Sequence, residues 1–435
     1  MDNNFLKYYL KENPFPETPV IDPLSDDIRL NGEIFNEDIF RKEIENLRKK
    51  TQQGINVVYL AGIQFDRGIG KSALMINHMR RLMNSPASTC AYVRCCEKEK
   101  PKDAVKKVLE QWHLCGYLWE AFKLAFIAFA QAKNDILLTS DSVESLFRAN
   151  PTIPEKLPLS LYTHTRDSEK VGKNFSNWIS ASLKISTPGI GLLTQDYLTF
   201  PPNFLESIKG KTVDILALYE SCSRLLKAYG YQKHYIFLDQ FEDLIMGTSK
   251  STMNKFALEM KSFIRTSSGS ATIFVTLHPN SEMSLRVPAA QDMTGLAPLD
   301  AVHRIDVMVL DTKGNSAISL AEEYFKCFRI NGAPYATFPI EPELLEFICY
   351  LNRGLIRGFL EQLHNGLDFG ANNGHPEITF KYAKEHPLEI LGKEVDQRTL
   401  DGFNRLKGKN TVEEDSNRGG IGKLIKDFKQ SETKT

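Results

Sequence analysis

The chain has 435 residues, of which 42% are hydrophobic and 25% charged, enough for two or three domains around a sizeable core. Lys plus Arg and Asp plus Glu both number 54, so no global basic field argues for nucleic acid, although balanced charge can hide a local basic patch. No membrane span is expected, because the apolar stretch from Leu118 to Ala130 is short and interrupted by Glu120 and Lys123. The opening MDNNFLKYYLKENPFP lacks the positive start and apolar block of a signal peptide. The seven cysteines and nine histidines show no metal or disulfide spacing, which points to a reducing, cytoplasmic setting without a structural metal.

Residues 1–30 are rich in Pro and Asp and read as extended chain, since each Pro steers its predecessor away from helix. Asn36 can cap a helix whose apolar positions Ile39, Phe40, Ile44 and Leu47 recur at three- and four-residue spacing. Next comes an apolar run, Val57 to Leu60, which reads as a strand buried on both faces. It leads into a loop, Gly68-Ile69-Gly70-Lys71-Ser72-Ala73, that opens directly into an amphipathic helix. Loop amides and the positive helix end can surround a di- or triphosphate where no Cβ obstructs them. Lys71 would reach the outer phosphates and Ser72 a magnesium ion. Phe65 stands where this pattern usually has its first Gly, so the mouth of the loop differs.

Thr89 to Cys95 read as a second strand. From 97 to 210 the pattern changes to a mainly helical insertion holding all three tryptophans and a Pro/Ser/Thr-rich middle. Its basic cluster (Lys98, Lys100, Lys102, Lys106, Lys107) reads as a solvated helix face or as a contact for phosphate backbone. A long helix then precedes HYIFLDQFEDLI, where an apolar strand runs into Asp239, the position a magnesium-water ligand needs. Glu242 or Asp243, within one turn, could polarise an attacking water. A fourth strand, Ala271 to Leu277, brings Thr276 and His278, and a fifth lies in AVHRIDVMVL.

These pieces predict an α/β fold, a P-loop NTPase with a parallel five-stranded sheet and helices on both faces. Ligands of such sheets bind at the carboxyl ends of the strands, so residues 68–72, 239–243 and 276–280 should meet. Expected boundaries are an N-terminal extension and adenine-side helix at 1–54, a core at 55–96 and 211–311, the insertion at 97–210, a helical lid at 312–392 and a polar, flexible tail at 393–435. GGIGK at Gly419 to Lys423 echoes the loop but follows no buried strand.

The order of parts resembles AAA+ ATPases, in the branch around origin-recognition ATPases and the related STAND signalling ATPases. GIGKS is similar to the end of the family's Walker A motif and FLDQFED to a Walker B motif; the fourth strand stands where the family carries a polar sensor. Gly354-Leu355-Ile356-Arg357-Gly358-Phe359-Leu360 is similar to a lid-helix pattern whose Arg touches the γ-phosphate. The resemblance covers about Asn13 to His386 without the insertion, and its motifs lose specificity away from the loop. It implies ATP and Mg2+ as ligands, adenine held near the turn at Gly32, Arg357 as a sensor and Arg304 as an arginine finger toward a neighbouring subunit. It further implies ATP hydrolysis whose nucleotide state controls self-assembly, making a homo-oligomer, or engagement of a protein or DNA partner. Gln240 stands where many members carry the water-activating Glu, which leaves open a nucleotide-bound scaffold with little hydrolysis, beside a DNA-stimulated motor.

Overall fold

The computed structural model describes residues 4–23, 25–62, 68–96, 99–121, 124, 208, 214–228, 230–246, 250–277, 302–312 and 315–416. Phe65, His278, most of the 97–210 insertion and GGIGK lie outside the described residues. Two compact units form: Met1–Phe40 with Arg67–Gly70 and Met308–Thr435, and Arg41–Asp66 with Lys71–Val307.

The second unit contains the sheet. Its elements in chain order are α1 (Arg41–Gln52), β1 (Val57–Gly62), α2 (Lys71–Met83), β2 (Ser88–Arg94), α3 (Pro101–Leu114), α4 (Ile215–Ala228), β3 (Lys233–Asp239), α5 (Phe241–Met246), α6 (Lys250–Ser267), β4 (Ala271–Leu277) and β5 (Arg304–Val307). The strands lie in the order β2-β3-β4-β1-β5 and every pairing is parallel. β1 and β4 are buried along their whole length, as expected for central strands covered on both faces.

Alternation along the strands assigns those faces. Val57, Tyr59, Ala91, Val93, Ile236, Leu238, Ile273 and Val275 share one core with Val105, Val108 and Trp112 of α3, Leu218 and Tyr219 of α4, and Met260 and Phe263 of α6. On the opposite face Phe237 and Phe274 stack at 4.7 Å, and His78 of α2 sets its ring on both, at 6.4 and 5.3 Å. Burying one such aromatic or aliphatic side chain contributes about 1.5–3 kcal/mol. α1 packs against β5 and α2. Asn36 caps a turn rather than α1 itself: its Oδ1 accepts from the amides of Asp38 and Ile39, and the helix starts at Arg41.

The first unit is helical, with α7 (Ser316–Phe328), α8 (Pro342–Leu351), α9 (Ile356–Asn372), α10 (Phe380–Glu385), α11 (Pro387–Leu391) and α12 (Gln397–Ser416). Two boundaries fall differently from the sequence reading. Residues 1–54 are not one extension, because 1–40 belong to the helical unit: Tyr8 Oη donates to His375 O at 2.6 Å, Lys7 Nζ to Ala371 O at 2.9 Å, and Phe15 packs on Tyr324 and Phe325. The stretch after 392 is not all flexible tail either, since α12 docks through Phe403, buried against Phe347 and Tyr350. One buried aromatic and the Lys407–Glu343 pair at 2.9 Å fix a segment whose polar composition concealed them. Among the described residues, no helix is long and apolar enough to cross a membrane.

Candidate functional site

In the sheet unit, β1 ends at Gly62 and the chain re-enters as α2 at Lys71, so Lys71, Ser72 and Ala73 form the first turn of that helix. The start of a helix presents amides that have no partner within the helix, together with the positive end of its dipole. The carboxyl ends of β1, β3 and β4 lie on one edge of the sheet because all are parallel. Asp239, the last residue of β3, and Thr276 of β4 share the face that α2 covers, two positions on from Phe237 and Phe274.

Asp239 is 3% exposed. Thr276 Oγ1 donates to its Oδ1 at 2.7 Å and the Gln240 amide to the same oxygen at 3.0 Å. Tyr92 Oη, from β2, donates to its Oδ2 at 2.5 Å. Among the described residues these donors are all neutral, whereas a buried carboxylate ordinarily pairs with a cation or coordinates a metal. The buried Cys95 thiol is pushed well up, first by its own burial and then by the charge of Asp239. A lone buried carboxylate suits Mg2+, which keeps several waters and takes one or two carboxylates together with phosphate oxygens, so Asp239 and, at the start of α2, Ser72 are the residues that could hold one.

Gln240 turns the chain from β3 into α5 with φ of 55°, a left-handed conformation costly for a residue with a Cβ. Its amide is shared between Asp239 Oδ1 and Thr276 Oγ1, the latter at 2.8 Å, and its side chain accepts from Arg94 Nε at 3.3 Å. Asp243 is half-buried on the first turn of α5, its amide bonded to Gln240 O at 2.9 Å. Glu242 falls in the same helix, but its side chain lies outside the described residues. Arg304 opens β5, the edge strand, and pairs with Asp306 at 2.5 Å.

The loop glycines group with the helical unit. Gly68 and Gly70 have φ of 83° and 89°, and Ile69 between them is buried. Their missing Cβ atoms serve the protein's own packing: one built on Gly68 would stand 2.9 Å from Arg357 Cβ, and one on Gly70 would stand 3.0 Å from Ile356 Cδ1 and 3.1 Å from Phe40 Cζ. Arg357 thus seats at the loop from the first turn of α9, with its Nε buried and lacking a hydrogen-bond partner among the described residues. Such an orphaned guanidinium donor fits an anion as its missing partner. Gly354 and Gly358 make this placement possible, since a Cβ at the first would lie 2.3 Å from Leu310 O and one at the second 2.2 Å from Asn352 Oδ1.

The structure joins Thr276 to Asp239 by a hydrogen bond and, within the helical unit, sets Arg357 against the glycine loop. Sequence reasoning missed Tyr92, whose hydroxyl reaches Asp239 only through the β2–β3 register, and Gln111, which clamps the Tyr92 backbone through both its amide and its carbonyl.

No family model matches the chain, and no curated protein sequence does. Solved structures similar to it include Cdc6p from Pyrobaculum aerophilum, at 11% identity and a TM-score of 0.40 over 84% of this chain and 74% of that one. The ORC2 protein of Aeropyrum pernix, solved as ADPNP and ADP complexes, matches at 10% identity and a TM-score of 0.46 over 90% and 75%. A Walker-type ATPase of Pyrococcus abyssi matches at 12% identity and a TM-score of 0.37 over 86% and 91%. The fold assignment itself rests on the five-stranded parallel sheet and on the strand, glycine loop and helix that run through its centre.

Proposed function

We propose that the chain binds Mg-ATP at the loop following β1 and hydrolyses it, and that its nucleotide state controls association with itself or with a protein or DNA partner. The observation that carries this reading is Asp239: a buried carboxylate held, among the described residues, by neutral donors, on the same edge and face of the sheet as the α2 start that presents Lys71 and Ser72. When bound, magnesium supplies positive charge to the outer phosphate oxygens. Lys71 adds a point charge to those oxygens, the α2 amides receive them, and Asp239 orients what the ion carries. Arg357, whose Nε lacks a hydrogen-bond partner among the described residues, is the candidate for sensing the γ-phosphate. Glu242, or failing it Asp243, orients the attacking water and accepts its proton.

The test is nucleotide affinity and turnover of the purified protein beside Lys71→Ala. Loss of tight ATP binding in a folded Lys71→Ala protein supports the assignment, and unchanged affinity overturns it. A second reading, a nucleotide-bound scaffold with little hydrolysis, is favoured by Gln240, whose amide side chain turns to Arg94 and offers no carboxylate after Asp239. Tight ATP binding without measurable turnover, with or without DNA, selects the scaffold. Stimulation by DNA that fades steeply with salt selects a motor.

A further inference from the structure

We propose that Tyr92 is a positioning residue for the metal-binding carboxylate, an inference that rests on the Mg-ATP reading above. Three strands converge on Asp239. β4 supplies Thr276 to Oδ1 at 2.7 Å, β2 supplies Tyr92 to Oδ2 at 2.5 Å, and β3 carries the carboxylate between them. Each oxygen accepts a side-chain hydroxyl from a different neighbouring strand, so rotation about the carboxyl bond breaks both bonds at once. Hydrogen bonds to an ionised acceptor are short and strong, which makes this a stiff clamp.

Tyr92 is itself held. It is 5% exposed, and the Gln111 side chain of α3 both accepts from its amide and donates to its carbonyl, pinning the backbone from which the phenol projects. Beyond it Arg94 pairs in register with Asp239 and reaches Gln240, so β2 braces β3 at the clamped residue and at the one after it. A buried Tyr needs some partner for its hydroxyl, and an ordinary core Tyr would take a main-chain carbonyl. Here the phenol is spent on a buried carboxylate whose donors among the described residues are neutral, leaving the charge of Asp239 available to a cation while its plane is fixed.

The clamp acts on metal geometry rather than on nucleotide contact. Mg2+ demands near-ideal octahedral positions and tolerates a swivelling ligand poorly. Tyr92→Phe removes one oxygen atom and keeps the ring, so the sheet packing persists. The experiment measures binding of a fluorescent ATP analogue to the intact protein as free Mg2+ is varied, for wild type, Tyr92→Phe and Asp239→Asn, with thermal melts as a folding check. The expected result for Tyr92→Phe is a Mg2+ midpoint raised by about tenfold, the size of one lost hydrogen bond to a charged group, with affinity in the absence of Mg2+ unchanged. Asp239→Asn should raise the midpoint further. A wild-type midpoint in Tyr92→Phe overturns the positioning role while leaving the Mg-ATP reading intact. Absence of Mg2+-dependent binding in the wild-type protein overturns both.

Discussion

Arg357 donates its main-chain amide to the carbonyl of Gly68 at 3.1 Å, so the first turn of α9 is bonded to the glycine loop. The bond turns that loop from an open cradle into a packed surface, and the two positive-φ glycines answer to that packing as much as to any phosphate. Gly68→Ala should therefore damage the fold locally. It forces a Cβ at φ of 83° to within 2.9 Å of Arg357 Cβ, and strain of this kind costs about 1–3 kcal/mol. Urea unfolding of Gly68→Ala should show a loss in that range, and a wild-type midpoint would show that the loop and α9 move apart without penalty.

Much of this was legible in the sequence, for reasons specific to each element. Ala271–Leu277 and the run into Asp239 stand out because central strands need apolar residues on both faces. Gly68, Gly70 and Lys71 stand out because few backbones other than a strand-to-helix loop combine them at that spacing. Cross-strand partners were not legible: nothing in TCAYVRC says that Tyr92 pairs with Phe237, two residues before Asp239, since register is a property of the folded sheet. The helix Gln397–Ser416 was hidden for a different reason. Its docking rests on Phe403 and on Gly402, where a Cβ would stand 2.4 Å from Tyr350 Oη, and two residues do not make a visible apolar period.

The acidic residues of the candidate site should separate by assay. If Asp239 organises magnesium and Glu242 activates water, Asp239→Ala weakens Mg2+-dependent binding, whereas Glu242→Gln keeps binding and slows turnover by about a hundredfold or more. Measuring nucleotide affinity and turnover on the same preparations checks both. Near-normal turnover in Glu242→Gln transfers the role to Asp243 or to a group from another chain.

Acid should destabilise the sheet unit through its buried histidines. Burial, with Arg81 and Arg48 adding repulsion, lowers His78 from 6.5 to about 4, and burial first of all lowers His113 and His234 to about 4 as well. The unfolded chain thus binds protons to these groups before the folded one does. Their contribution is complete above the unfolded value and is lost as pH falls from about 6.5 toward about 4. At about pH 5 the loss should be about 2 kcal/mol each for His78 and His234, by the linkage between pKa and stability, and smaller for His113, which solvent screens more. His78→Phe, which keeps a ring against Phe237 and Phe274, should flatten the difference in urea midpoint between about pH 7.5 and about pH 5. A loss of stability that is equal at both pH values would assign His78 a packing role alone.

Assembly is the last expectation, and it turns on two arginines. A phosphate shared between subunits needs a positive group from the neighbour at the moment charge develops, and arginine fingers carry rate factors of about a thousandfold or more. Arg304 is the candidate because it opens the edge strand β5, a border of the sheet that no further strand covers among the described residues. It pairs with the exposed Asp306, and surface ion pairs are typically worth only about 0–1 kcal/mol. Arg304→Ala should leave ATP affinity intact yet lower turnover or ATP-driven association, and mixing it with Lys71→Ala protein should restore part of the activity by forming one complete shared site. Arg357→Ala acts within its own chain, so mixing should rescue nothing. Mass measurement with and without ATP, beside turnover of each variant and of the mixture, checks the scheme. A protein that stays monomeric with ATP at high concentration, or an Arg304→Ala variant with wild-type turnover, excludes the shared site and leaves a monomeric switch in which Arg357 is the one arginine left to sense the nucleotide.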